Sequence, residues 1–154
     1  MKNRFRLAAV VLAVLLIGIQ FLHPERNLGI TGGPNDIAVR FVVPDNVHAV
    51  LTKACYDCHS NYTRYPWYAG VQPVAWWMSH HVHEAKRELN FSEFGSYSVK
   101  RTARKLDAIV DEVERGDMPL ISYTWMHPEA RLTAAQRKLL TDWAQALHDQ
   151  IVPE

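Results

Sequence analysis

Apolar residues in this chain follow two different patterns. Residues 7–22 form an almost unbroken apolar run, interrupted by Gly18 and Gln20. From Pro44 onward, the apolar positions recur three and four residues apart, which is the spacing of amphipathic α-helices. Alternation of apolar and polar residues, which indicates β-strands, does not extend over a useful length there. The pattern predicts an all-α domain behind an apolar N-terminal segment.

Four helices are predicted in the domain at 44–150. Asp45 is a suitable N-cap for the first helix, and Pro73 is tolerated in the first turn of the second. The third helix ends at Gly116, a residue type that favours the C-terminal end of a helix, and the last begins at Thr133. The residues predicted to share apolar faces are Val47, Val50, Leu51 and Ala54; Val74, Trp77, Met78, His81, Val82 and Ala85; Val99, Ala103, Leu106, Ile109, Val110 and Val113; and Leu139, Leu140, Trp143 and Leu147.

The N-terminal run has the pattern of an export signal. Lys2, Arg4 and Arg6 precede it, and a short basic stretch followed by apolar residues directs a chain out of the cytoplasm. No cleavage site of the A-x-A type follows at residues 20–24. We therefore predict that residues 1–22 remain as a transmembrane signal anchor, giving a single-pass protein of the bacterial inner membrane whose C-terminal domain is periplasmic.

The length of the run leaves an alternative open. As a helix, the 16 residues of 7–22 span about 24 Å, whereas the hydrocarbon core of a bilayer is about 30 Å thick. Insertion through these residues therefore requires local thinning of the bilayer or snorkelling of flanking side chains. The alternative is a soluble periplasmic protein from which the signal has been cleaved.

Charge composition and the positions of glycine and proline indicate the class of the protein and its domain divisions. The chain has 154 residues, with 17 Lys and Arg against 16 Asp and Glu, so a strongly basic nucleic-acid-binding protein is excluded. Residues 23–43 are rich in glycine and proline and are predicted to be a linker, with a short extended piece at 37–43. The predicted divisions are therefore an anchor at 1–22, a linker at 23–43 and one domain at 44–150.

Both cysteines of the chain lie in one motif. Residues 55–59 read Cys-Tyr-Asp-Cys-His, which is the C-x-x-C-H pattern for attachment of c-type haem. Cys55 and Cys58 would form thioethers with one porphyrin, and His59 would bind the iron. A thioredoxin-like dithiol would need a βαβ setting, and structural zinc would need a second ligand pair, and the sequence offers neither.

The sixth iron ligand has several candidates. Met118 stands beside Pro119 in the loop that leaves the third predicted helix, where a thioether can reach the second face of a porphyrin. His81, on the apolar face of the second helix, and His127 would give bis-histidine ligation instead. An open sixth position is the remaining alternative.

The surroundings of a haem are predicted between His59 and Met78. Six aromatic residues there could form large apolar walls and donate hydrogen bonds to the haem propionates. They are Tyr62, Tyr65, Trp67, Tyr68, Trp76 and Trp77. Arg64 and Arg87 could pair with propionates. A carbonyl in the loop at 64–73 could accept a hydrogen bond from the second ring nitrogen of His59.

Several short segments together resemble the bacterial haem-binding domain family, whose members are small cytochrome c-like proteins, often with an N-terminal membrane segment. The segments are Cys55–Asn61, Tyr65–Tyr68, Leu89–Glu93, Met118–Pro119 with Tyr123, and His127–Pro128 before Leu132 and Thr133. The resemblance covers roughly residues 40–150. It implies covalent haem in a helical cytochrome fold, with Met118 as the distal ligand and Trp143 where the first and last helices of the domain meet.

These observations together predict a monohaem c-type cytochrome. One haem c per chain, attached by the cytochrome c maturation machinery, would carry single electrons between redox partner proteins of the periplasm or inner membrane. Residues 7–22 would contact the lipid bilayer. We expect no enzymatic turnover by the domain itself, with a peroxidase-like activity as a lesser alternative. The principal alternative function is a haem-based sensor or small-ligand-binding protein.

Overall fold

The computed structural model describes residues 2–152 as a succession of helices. The α-helices are α1 (Lys2–Ile19), α2 (Ile37–Arg40), α3 (Asp45–Ala54), α4 (Tyr56–His59), α5 (Val74–Glu88), α6 (Val99–Arg115), α7 (Ile121–Met126) and α8 (Ala134–Ile151). Short 3-10 helices cover Trp67–Gly70, Phe91–Ser96 and Pro128–Ala130. The described residues form no strand, and one isolated antiparallel bridge joins Leu28 to Tyr62. The predicted all-α class is confirmed.

Helix ends follow the capping chemistry of the sequence. Ser98 caps α6 by accepting a hydrogen bond from the backbone N–H of Arg101, and Gly116 ends that helix with a left-handed φ of 77°. Thr133 begins α8 with a complete capping box that includes Gln136. Asp45 differs from its predicted role, because it lies in the first turn of α3 and its carboxylate makes no cap hydrogen bond. There a carboxylate still interacts favourably with the positive end of the helix dipole.

The core lies where α6 packs along α8 and α3 contacts both α4 and α8. Burying a side chain of Leu, Ile or Phe contributes about 1.5 to 3 kcal/mol each, so the fully covered residues dominate the stability of this packing. The largest fully buried side chains are those of Phe91, Phe94, Ile37, Leu51, Leu106, Leu140 and Val47. Trp143 is 8% exposed and donates its indole N–H to the carbonyl of Val42 at 3.3 Å.

The predicted linker segment is folded against the domain. The side-chain amide of Asn27 donates to the carbonyl of Ser60 at 3.0 Å and to the hydroxyl of Thr63 at 2.9 Å. The Lys86 ammonium donates to the amide oxygen of Asn27 at 2.6 Å. A single Asn side chain therefore joins the segment to two other parts of the chain.

The extended piece predicted at 37–43 begins instead with helix α2. Asp36 accepts a hydrogen bond from the backbone N–H of Ala38 at 3.0 Å and so caps the helix. Ile37 is fully buried in the core. The prediction was wrong because an N-cap and one core contact favour a helical turn, even in a short segment.

Helix α1 differs from the predicted transmembrane helix. Residues 2–18 are exposed along their whole length, and the three cations of the export pattern occupy the first turns of α1. The apolar part of the helix is therefore limited to 7–19, about 20 Å long. Among residues 2–152, no helix combines the length and the apolar character needed to cross a membrane.

The chain directly after α1 is bound to the domain. The backbone N–H of Gln72 donates to the amide oxygen of Gln20 at 3.0 Å, and the side-chain amide of Gln20 donates back to the carbonyl of Gln72 at 3.3 Å. The side-chain amide of Gln72 also donates to the carbonyl of Leu22. These hydrogen bonds fix the end of α1 next to the loop that precedes α5.

Candidate functional site

The two cysteines and the histidine of the motif lie on one turn of the backbone. The backbone N–H groups of Cys58 and His59 both donate to the carbonyl of Cys55, at 3.2 and 2.9 Å. Residues three and four positions apart in such a turn lie on the same side. Cys55 and Cys58 form no disulfide and are partly buried. The local backbone therefore presents both thiols and the imidazole together.

Both thiols are held in the protonated form. Burial raises the pKa of Cys55 to about 12, with a smaller contribution from the neighbouring Cys58 thiol. Burial and the nearby Asp57 carboxylate raise the pKa of Cys58 to about 11. Disulfide exchange and zinc binding both use the thiolate, so these surroundings do not favour a dithiol redox pair or a zinc site.

The ring of His59 is oriented by the C-terminal end of α5. Its Nδ1 lies 3.1 Å from the carbonyl oxygen of Ala85 and 3.0 Å from that of Leu89. Since both partners only accept, Nδ1 carries the proton and Nε2 keeps its lone pair. Burial lowers the pKa of His59, and the two carbonyls oppose this shift less strongly. The imidazole is thus neutral, with Nε2 available to a metal.

The source of these carbonyls corrects the sequence-based prediction. A carbonyl of the loop at 64–73 was expected, whereas the acceptors belong to residues 85 and 89. Helix α4 packs against α5 in the structure, and the carbonyl of Ala85 accepts from His59 as well as from the backbone N–H of Leu89. This contact joins parts of the chain that are about 30 positions apart, so the local sequence around His59 does not reveal it.

A cavity of about 280 Å³ lies between α3, α6 and α8, and Cys55, His59 and Met118 all line it. The rest of the wall is mainly apolar and consists of Leu51, Ala54, Leu89, Phe91, Ala108, Ile109, Val113, Pro119, Leu132 and Leu140. Its charged lining residues are Glu88, Lys105 and Glu112. Cys58 does not line the cavity.

Met118 reaches this cavity through the turn that ends α6. Gly116 adopts the left-handed conformation, which a residue without Cβ adopts at little cost. The backbone N–H groups of Asp117 and Met118 then both donate to the carbonyl of Glu112, at 3.0 and 3.1 Å. The peptide bond between Met118 and Pro119 is cis. The loop thus returns the chain toward α6 and gives Met118 a defined backbone position.

The two histidine alternatives lie elsewhere. His81 packs on Trp77 with ring centroids 4.1 Å apart, and its Nδ1 lies 2.8 Å from the Trp77 carbonyl. His127 stacks on Tyr123 with centroids 4.3 Å apart. Neither histidine lines the cavity that contains His59. Of the three residues considered for the sixth position, Met118 alone shares a cavity with His59.

The predicted walls and cations of the site are also corrected. None of the six aromatic residues between His59 and Met78 lines the cavity, whose aromatic member is Phe91. Arg64 pairs with Asp57 at 2.9 Å and Arg87 pairs with Glu84, and neither arginine lines the cavity.

Residues of α6 provide a cation and part of the apolar wall of the cavity instead. Lys105, Ile109 and Val113 recur four residues apart and present one side of the helix to the cavity. Lys105 also lies 3.2 Å from the Glu88 carboxylate. The apolar periodicity of α6 was visible in the sequence, but it does not distinguish a residue packed on another helix from one that lines a cavity.

Asp57, inside the motif, joins it to α7. Its side chain is buried and accepts hydrogen bonds from Arg64 Nε at 2.9 Å, Arg64 Nη2 at 3.0 Å and the Tyr123 hydroxyl at 2.7 Å. Burial and this hydrogen bond raise the pKa of Tyr123, so the phenol stays protonated and donates. Tyr123 follows Met118 by five positions. The contact therefore connects the segment of Cys55 and His59 to the segment that follows Met118, and sequence reasoning missed it.

Replacing Tyr123 with phenylalanine should destabilise the protein while leaving its helices formed. The change removes one hydrogen bond to a buried carboxylate, which stabilises a fold by about 1.5 to 3 kcal/mol. Urea unfolding followed by circular dichroism measures the loss. Tyr62→Phe is the control, because Tyr62 is 48% exposed. Equal stability of the two variants would contradict a structural role for the Asp57–Tyr123 contact.

Comparison with known proteins gives one match. A family model described as a haem-binding domain matches residues 14–146. Neither the curated proteins nor the solved structures give a significant match. The matched range includes the C-x-x-C-H motif, the loop after α6 and all the residues that line the cavity.

Proposed function

The chain belongs to the haem-binding domain family, and from this we propose that it is a monohaem c-type cytochrome that carries single electrons. One observation carries the proposal: a mainly apolar cavity brings together Cys55, a histidine with a free Nε2, and Met118. In the proposal, Cys55 and Cys58 would form the two thioethers, and His59 and Met118 would bind the iron. The domain transforms no substrate of its own.

The residues present fit a covalently attached haem. Both thiols are protonated and are free of disulfide, as required for addition across vinyl groups. The Nε2 of His59 is the nitrogen left unbound by the α5 carbonyls. Lys105 is the cation of the cavity lining and would pair with a propionate. Cys58 would reach the haem from the same backbone turn as Cys55.

The chain's own residues set the conditions of electron transfer. Bound haem supplies an iron centre that gains and loses one electron. Met118, as a thioether ligand, and the apolar lining would both favour the reduced, less charged state and so raise the reduction potential. Hydrogen bonds that His59 Nδ1–H donates to the carbonyls of Ala85 and Leu89 would make the imidazole a stronger ligand to iron and would lower the reduction potential.

We further propose that residues 1–22 export the domain to the periplasm and stay attached as its membrane anchor. Support comes from the three cations before the apolar part of α1 and from the absence of a small-residue cleavage pattern at 20–24. Because that apolar part is shorter than a bilayer core, Lys2, Arg4 and Arg6 would have to snorkel to the cytoplasmic surface. Periplasmic or inner-membrane redox proteins would be the electron partners, and the cytochrome c maturation machinery would attach the haem.

The absorption spectrum of the exported, haem-loaded protein tests the electron-carrier proposal. With two strong ligands on the iron, the absorption spectrum of the reduced protein should not change when carbon monoxide is added, and the oxidised protein should not react with peroxide. Pyridine treatment of the same sample should report a haem with two thioethers. Rapid capture of carbon monoxide by the reduced protein would overturn the proposal and favour a sensor or ligand-binding function.

A further inference from the structure

A group of large apolar side chains is exposed around the start of α5. Trp67 is 84% exposed, Trp77 49% and Trp76 40%, and Val71 and Val74 beside them are 43% and 37% exposed. We call these five residues the tryptophan face. All come from residues 67–77, which comprise the 3-10 helix at Trp67–Gly70, the short connection that begins with Val71, and the first turn of α5. Contiguous exposed apolar residues of this size usually mark a surface that contacts another molecule or a membrane.

The haem site does not account for these residues. No member of the tryptophan face lines the cavity that contains Cys55 and His59. Helix α5 contacts His59 through carbonyls at its other end, and Ala75 and Val82 are its buried residues. The exposed indoles therefore serve neither the core nor the proposed ligands.

The apolar N-terminal helix ends at this face. Gln72, in the middle of the stretch and 4% exposed, exchanges hydrogen bonds with Gln20 and donates to the carbonyl of Leu22. The ring Nε2 of His23 lies 3.3 Å from the carbonyl of Gly70. The end of α1 is thus joined to the backbone that carries the tryptophan face. An anchor formed by α1 would bring the bilayer surface to this side of the domain.

We propose that the tryptophan face lies in the interfacial layer of the lipid bilayer that α1 enters. The inference rests on the proposed anchor and adds the orientation of the domain. Tryptophan is enriched at membrane interfaces, where the ring meets lipid and the indole N–H meets the headgroups. Exposed residues farther along α5 are polar, namely His80, His83, Arg87 and Glu88. This order, from indoles to imidazoles and then to charged groups, matches a helix that begins at the bilayer and leads into water.

The inference can be tested on the full-length, haem-loaded chain in nanodiscs of phosphatidylethanolamine and phosphatidylglycerol. The chain is labelled with 5-fluorotryptophan and kept reduced, because low-spin ferrous iron is diamagnetic. Fluorine linewidths are compared with and without a lipid that carries a gadolinium chelate on its headgroup. Single Trp→Phe variants assign the five resonances.

We expect several-fold broadening of the resonances of Trp67, Trp76 and Trp77. Trp125 is the matched control, since it is 77% exposed but lines a different cavity, with Met118 and Arg137. Trp143, which is 8% exposed, is the buried control. Both controls should keep narrow lines.

The other outcomes overturn the inference in distinguishable ways. If the chain stays with the disc but its tryptophan resonances do not broaden, the anchor is supported and the orientation is refuted. Equal broadening of the Trp125 resonance leads to the same conclusion. If each disc holds two chains and the tryptophan lines stay narrow, the tryptophan face contacts a second copy of the protein instead of lipid. A chain that does not remain with the disc refutes the anchor and the orientation together, whereas the cytochrome proposal depends on the spectrum alone.

Discussion

Replacing Met118 with alanine should abolish the near-infrared sulfur-to-iron charge-transfer band of the oxidised protein. This band requires a thioether on the iron, and Met118 is the methionine that shares the cavity with His59. The loss should be complete, because alanine offers no ligand atom. The reduced variant should also bind carbon monoxide, and its reduction potential should fall, since methionine ligation favours the reduced state. Covalent attachment of the haem should be unchanged.

Met126→Ala provides the control for this experiment. Met126 is 53% exposed on α7 and does not line the cavity, so its removal should leave the band in place. Persistence of the band in Met118→Ala would refute the assignment. A wild-type protein that is low-spin but lacks the band would instead indicate bis-histidine ligation.

The double variant Cys55→Ala with Cys58→Ala should release its haem into acidified acetone, whereas the wild type should retain it. The thioethers are the covalent links in the proposal, and axial bonds from His59 and Met118 do not survive acid. The change is all or none, and absorbance of the organic phase measures it. Extraction from the wild type would show that attachment is not covalent.

The single cysteine variants make this test sharper. Each should keep one thioether and therefore resist extraction, while its pyridine spectrum shifts toward that of a haem with one remaining vinyl group. If Cys58→Ala behaved like the wild type, only Cys55 would be attached. That result would give functional meaning to the observation that Cys55 lines the cavity and Cys58 does not.

Features that depend on neighbouring residues were predictable from the sequence. The ends of α6 and α8 follow from Ser98, Gly116 and Thr133, whose side chains or backbone conformations act within one turn. The backbone turn at 55–59 is likewise local, and so is the glycine-initiated loop that carries Met118. Spacing along the chain is enough to recognise such features.

Features that depend on packing between distant segments were not predictable. The hydrogen bonds of His59 to the end of α5 and of Asp57 to Tyr123 join residues 26 to 66 positions apart. The aromatic residues after the motif looked suited to a porphyrin wall by their chemistry. In the structure Phe91 and α6 occupy that position, and three of the aromatic residues belong to the exposed tryptophan face.

The contacts of residues 23–43 could not be predicted from glycine and proline content for a related reason. These residues mark where the chain turns, but they do not show what the turns pack against. Gly29 donates its backbone N–H to the carbonyl of Asn61 at 2.7 Å, and a Cβ at this position would lie 2.9 Å from the same oxygen. Here the glycine permits close approach of the predicted linker segment to the domain.

Helix α5 limits the height of the proposed redox centre above the membrane surface. Its 15 residues span about 22 Å, with Trp76 and Trp77 in the first turn and the carbonyls that hold His59 at the far end. If the first turn lies at the bilayer surface, the iron ligand stands no more than that helix length above it. Electron partners must then present their own centres within a thin layer beside the membrane, which favours membrane-bound proteins with low-lying redox groups over those whose groups extend far into the periplasm.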